Sequence, residues 1–279
     1  MAFFLSLLPE IWPWLILIVA QILVLSRRLA LGFGLLGLFG LVALCVGLIN
    51  IWASLVIVLG FLGATFLPRL RGITALAGHI ALISWSLMLG AHLLPGVHSL
   101  LVLDQVQAGP GSAPFTMYLN LDKPMVLFAV LLAWPAMLTS RVAVRAVPLF
   151  AGLVLLAILL NLGIWSGAVH PEVGLPSWWL IFALSNLFLT CLTEEAFFRG
   201  YLQSAISVWR GPAAGLVGAS ILFGLAHIAG GPVLMAFAAL VGLACGLGYY
   251  ATGHLWVPVL MHFAFNFLHL ALFTYPVPG

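Results

Sequence analysis

Charges, prolines and glycine-rich turns cut an otherwise apolar chain into about ten runs, each long enough for a helix. The pattern predicts helices over residues 3–25, 29–48, 51–67, 73–94, 124–139, 146–168, 177–206, 212–228, 232–251 and 255–274. The second and third come from one uncharged stretch, Leu29 to Leu67, which is too long for a single crossing and divides at Asn50. A crossing needs about 20 apolar residues. The expected fold class is therefore all-α, a polytopic transmembrane helix bundle of about eight to ten spans, with the shortest open to a re-entrant reading.

Composition changes this from a helical protein to a membrane protein. Of 279 residues, 65% are hydrophobic and 5% charged, against roughly a quarter charged in a soluble domain. Nine basic and six acidic residues cannot cover a globule of this size, so most of the surface faces lipid and no separate soluble domain fits. The net charge of +3 does not point to nucleic acid, because the basic residues stand singly or in pairs at the ends of apolar runs. Threading ten spans puts Arg27/Arg28, Arg69/Arg71, Arg141/Arg145 and Arg199/Arg210 on one side and Lys123 on the other. The positive-inside rule then places both termini outside the cytoplasm, in a multi-pass cell-membrane protein, the inner membrane if bacterial. The first run has no basic residue before it and Arg27 and Arg28 after it, which reads as a span and not a signal peptide.

Some patterns carry no chemistry. Gly32, Gly34 and Gly37 spell GxGxxG inside an apolar helix with no strand before it, so they read as small residues that let helices approach, as do Gly242 and Gly246. Cys45, Cys191 and Cys245 form no CxxC pair, which argues against disulfides and a thiolate metal site. His79, His92, His98, His170, His254 and His269 stand singly near segment ends or loops. The linker Pro95 to Lys123 is rich in Pro and Gly and holds both aspartates, Asp104 and Asp122. No internal repeat supports an inverted-repeat transporter.

Ionisable groups concentrate in one helix. Glu194, Glu195 and Arg199 interrupt the apolar stretch from Ser177 to Trp209, where each charge costs roughly 2.5–3.5 kcal/mol on insertion scales. Glu195 and Arg199 are four apart, acid first, and can neutralise each other. Glu194 is turned about 100° from that pair, beyond the reach of the local pairing, which makes it the candidate general base or acid. Two polar elements follow downstream, Phe223-Gly-Leu-Ala-His227 and His262-Phe-Ala-Phe-Asn266. Counted from the Gly211-Pro212 turn, Glu194 and His227 reach similar depth on an antiparallel pair. His262 and Asn266 share one helical face, with His269 a turn further on. On straight helices, however, His227 and His262 differ in depth by roughly 12 Å.

A carboxylate with His227 can activate water, while His262 and Asn266 offer donors to the oxyanion of a tetrahedral intermediate. Other intramembrane proteases lack parts here: there is no HExxH, no serine in a GxSxG-like elbow, and both aspartates lie in one linker. Glu194, His227 and His262 could alternatively give a three-ligand zinc site, though Asn266 is a poor ligand and no second carboxylate is evident as base. A non-enzymatic membrane scaffold or immunity protein, and a haem held by His227 and His262, are the competing classes.

At EEAFFRG, FGLAH and HFAFN the sequence resembles the CAAX protease and bacteriocin-processing (CPBP, or Abi) family, which includes the Rce1-type glutamyl intramembrane endopeptidases. The resemblance spans roughly residues 175–275. It implies a catalytic role for Glu194, support from Glu195 and Arg199, a catalytic His227, and an oxyanion role for His262 and Asn266, approached by Trp256-Val-Pro258. It also implies a catalytic helical core over residues 171–279, leaving residues 1–170 as transmembrane helices of unassigned role. The expected activity is hydrolysis of a peptide bond in a membrane-associated protein or peptide near its C-terminus. No cofactor is expected, and the partners expected are that substrate and the lipid bilayer.

Overall fold

The computed structural model describes residues 2–138 and 143–279, so Arg141 and Thr139 lie outside the described residues. Among the described residues the chain forms ten helices and one two-stranded sheet. The helices are α1 (Ala2–Leu25), α2 (Leu29–Cys45), α3 (Ile51–Phe66), α4 (Gly72–Gly90), α5 (Met125–Ala133), α6 (Ala146–Trp165), α7 (Trp179–Arg210), α8 (Pro212–Leu225), α9 (Gly231–Thr252) and α10 (Trp256–Leu272). Six helical segments are long and apolar enough to cross a bilayer, and α2, α8 and α10 are shorter apolar helices. The protein is a multi-pass membrane protein.

Two expectations change. Residues 124–139 do not make a full span: α5 has nine residues, about 14 Å, against a hydrocarbon core of about 30 Å. Pro135 bars the continuation, and a 3₁₀ turn follows. Within the Pro/Gly-rich linker, β1 (Leu100–Val106) pairs with β2 (Phe115–Leu119) as a hairpin.

The chain divides into two compact units, each drawing on residues before and after 170. The first holds Met1–Leu103, Met117–Leu138 and Leu180–Thr193. Here α1 lies along α2, and Gly32 makes the approach possible, since a Cβ there would stand 2.5 Å from Val24 Cγ1. At Gly34 and Gly37 a Cβ would meet nothing within 4 Å. Helix α5 is buried on nearly every side, as expected of a helix apolar all round. The buried Asp122 accepts from His92 Nδ1 at 2.8 Å and from the Lys123 amide at 2.9 Å, fixing the hairpin's return to α5.

The second unit holds Asp104–Thr116, Thr139–Trp179 and Glu194–Gly279. Its core joins Leu156 and Leu159 of α6, Val241, Ala244 and Cys245 of α9, and Met261 and Phe265 of α10. The opposite face of α6 exposes Val147, Phe150 and Ile158, a distribution that suits lipid and not water. Glycines set the helix spacing: a Cβ on Gly152 would stand 2.6 Å from the Ala244 carbonyl, and one on Gly224 2.6 Å from that of Met235. Beyond α10 the chain turns back along the hairpin tip, where Ser112 Oγ accepts from the Tyr275 amide at 2.9 Å and donates to Glu172 at 2.5 Å.

Filling the α6–α9 contact should therefore cost stability, while filling open space should not. Gly152→Leu is expected to lose about 1–3 kcal/mol and melt earlier in detergent. Gly34→Ala should melt no earlier than wild type, because alanine is the better helix former by up to about 1 kcal/mol. Equal melting temperatures for the two variants would contradict the packing assigned to Gly152.

Candidate active site

Helix α7 is not a uniform α-helix. Ser185–Cys191 and Ala196–Gln203 are π-helical, and they bracket the single α-helical turn Leu192–Glu195 that carries both glutamates. Such wide turns hold i→i+5 bonds and recur at functional sites. The second of them, Ala196–Gln203, packs against α8 and α9.

The first contacts are charged. Arg199 Nε stands 3.1 Å from Glu195 Oε2, both side chains being wholly buried. This is a charge contact and not an aligned hydrogen bond. The guanidinium also donates from Nη2 to the Gly242 carbonyl at 2.8 Å, and its face lies 4.6 Å from the Phe223 ring centroid. One turn along, Gln203 Nε2 donates to the Gly246 carbonyl at 3.0 Å. Arg199 and Gln203 are thus matched, four residues apart on each side, to Gly242 and Gly246. A Cβ on Gly242 would stand 3.1 Å from Arg199 Nη2, so the GxxxG spacing opens α9 to polar side chains as well as to a neighbouring helix.

The other Glu195 oxygen, Oε1, accepts from His262 Nδ1 at 2.8 Å. A carboxylate only accepts, so Nδ1 carries the hydrogen and Nε2 is the reactive nitrogen. That Nε2 lies 4.0 Å from Glu194 Oε2. A single oxygen about 2.8 Å from each atom would bridge that separation at an angle of about 90°. Glu195 and Arg199 are closed off, whereas Glu194 is 14% exposed.

His227 lies just past the end of α8, and its Nδ1 donates to the Phe223 carbonyl at 2.8 Å, folding the ring back along the helix. The neutral ring therefore presents Nε2 as an acceptor. The Phe223 ring centroid is 4.8 Å from that of His227 and 5.6 Å from that of His262, which removes the depth mismatch expected of straight helices. Asn266 follows His262 by one turn of α10 and is half-buried.

Residue spacing found the Glu195–Arg199 pair but not the Glu195–His262 bond, which joins positions 67 apart. Phe223, to which the sequence motif assigns no role, touches Phe198, Arg199, His227 and His262. Among the described residues no three His, Cys, Asp or Glu side chains are grouped to hold a metal.

Residues 176–268 match the family model described as Type II CAAX prenyl endopeptidase Rce1-like, and all six residues of the cluster fall inside that stretch. None of the curated proteins and none of the solved structures matches the chain.

Breaking the buried pair from one side should cost more than removing both charges. Glu195→Ala leaves Arg199 uncompensated and is expected to lose about 3–5 kcal/mol, seen as reduced monodisperse yield and earlier melting in detergent. Adding Arg199→Leu should recover part of the loss. A double variant no more stable than Glu195→Ala would mean that the two charges are not coupled.

Proposed function

We propose that the chain, which carries an Rce1-like domain of the CPBP family over residues 176–268, acts as a glutamate-dependent intramembrane endopeptidase. Its substrate is a membrane-associated protein or peptide, cut near the C-terminus, and its setting is the cell membrane. The CAAX-type protease family supplies the reaction class. The reading of the mechanism rests on one observation: Glu194 Oε2 and His262 Nε2 face each other at 4.0 Å while Glu195 holds the other side of the imidazole.

In the reacting state of this reading both carboxylates are ionised and His262 is an imidazolium, so that Glu194, Glu195, Arg199 and His262 carry no net charge together. Glu194 then takes a proton from water, with His227 Nε2 orienting that water as an acceptor. The hydroxide oxygen attacks the scissile carbonyl carbon, and negative charge moves to the carbonyl oxygen. His262 Nε2–H and the Asn266 carboxamide donate to that oxyanion, and Glu195 stabilises the imidazolium, the task a buried aspartate performs in serine-protease triads. Glu194 returns its proton to the leaving amine as the tetrahedral intermediate collapses. Side chains carry every step.

Glu194→Gln keeps volume and helix propensity and removes the base. Turnover of a membrane-reconstituted peptide substrate should disappear while yield and melting stay near wild type; activity within tenfold of wild type would sink the assignment. Asn266→Ala should lower kcat by roughly 10²–10³ with little change in KM, because an oxyanion donor acts as charge develops. A rise confined to KM would make Asn266 a substrate-binding residue instead.

A further inference from the structure

The face of α10 that carries His262 and Asn266 runs one turn further to His269, where it meets a cleft that the chemistry above does not use. The cleft holds about 490 Å³ and is lined by Leu159 of α6, Leu234 and Phe237 of α9, Phe265 and His269 of α10, and Val277. That volume falls within the roughly 300–1,000 Å³ of small-ligand sites. Gly230, three residues past His227, also borders it, so it adjoins the elements bearing His227 and Asn266.

Its lining is apolar apart from Ser166 and His269. Ser166 Oγ donates to the Gly163 carbonyl at 3.2 Å. His269 Nε2 donates to the Thr274 carbonyl at 3.2 Å, which leaves Nδ1 of the neutral ring as a hydrogen-bond acceptor. A saturated acyl chain has nothing to give that acceptor, whereas a peptide has an N–H beside every side chain. Register adds a second argument. Seven residues of helix separate His262 from His269, about 10 Å, and an extended peptide covers that in about three residues at roughly 3.3 Å each.

We infer that this cleft is a substrate subsite for one bulky apolar side chain, of the size of Leu or Phe, about three residues from the scissile bond, with the adjoining backbone N–H received by His269. The inference rests on the endopeptidase reading above and narrows its substrates to peptides with an apolar residue at that place.

The test uses the full protein reconstituted in phosphatidylcholine vesicles. Internally quenched alanine-based decapeptides carry one phenylalanine walked along the chain. The subsite predicts a maximum in kcat/KM with Phe about three residues from the cut, 10–200-fold above the all-alanine peptide. Narrowing the cleft with Leu234→Trp, or separately Val277→Trp, should bring that ratio close to one through KM. His269→Gln, which keeps an acceptor, should retain the preference better than His269→Leu. In parallel, the Glu194→Gln protein is photolabelled with the same peptides bearing benzoylphenylalanine in place of Phe, and label should fall on Leu234, Phe237 or Phe265. A flat profile along the walk, label outside the cleft, or label displaced by phosphatidylglycerol alone overturns the subsite. Label in the cleft without cleavage of any peptide by wild type instead overturns the endopeptidase reading.

Discussion

A carboxylate buried among apolar helices persists as a charge only with partners on both oxygens, and Glu195 has them: Arg199 at 3.1 Å and His262 at 2.8 Å. Much of the second unit can be read as the consequence of that constraint. Arg199 needs a further acceptor and a desolvated face, which the Gly242 carbonyl and the Phe223 ring supply. The carbonyl is reachable because position 242 has no side chain, and α8 comes close to α9 because Gly224 has none. His262 in turn is held at one ring nitrogen and presents the other to Glu194.

The two adjacent glutamates therefore differ by environment. Glu195 is wholly buried, while Glu194 keeps 14% of its side chain exposed, and the proposed reading gives the first the orienting role and the second the proton transfer. Opposed environments for neighbouring carboxylates are how one site can divide orienting from proton transfer. π-helical turns flank Leu192–Glu195 on either side, as they often do at functional sites.

The helices were legible because a bilayer demands contiguous apolar runs and penalises interruption, so most boundaries fall within a few residues of the charges and prolines. The hairpin was not: Leu100–Val106 is a short apolar run in a Pro/Gly-rich linker, and its pairing depends on Phe115–Leu119 beyond a loop. Residues 124–139 looked long enough to cross, but Pro135 ends α5 early. At the site, the Glu195–Arg199 contact followed from i,i+4 spacing. The bond from Glu195 to His262 depends on the tertiary packing of two helices far apart in sequence, and the return of the His227 ring onto the Phe223 carbonyl depends on where α8 stops. Local spacing contains neither.

The central claim is that Glu194 and His262 act on one reacting centre, and a kinetic double-mutant cycle addresses it most directly. kcat would be measured for wild type, Glu194→Gln, His262→Ala and the double variant on one vesicle-reconstituted peptide, with folded protein quantified in each case. Residues that work as a unit are strongly non-additive. The account predicts that the double variant is no slower than the worse single variant. Losses that multiply across the two sites would contradict it.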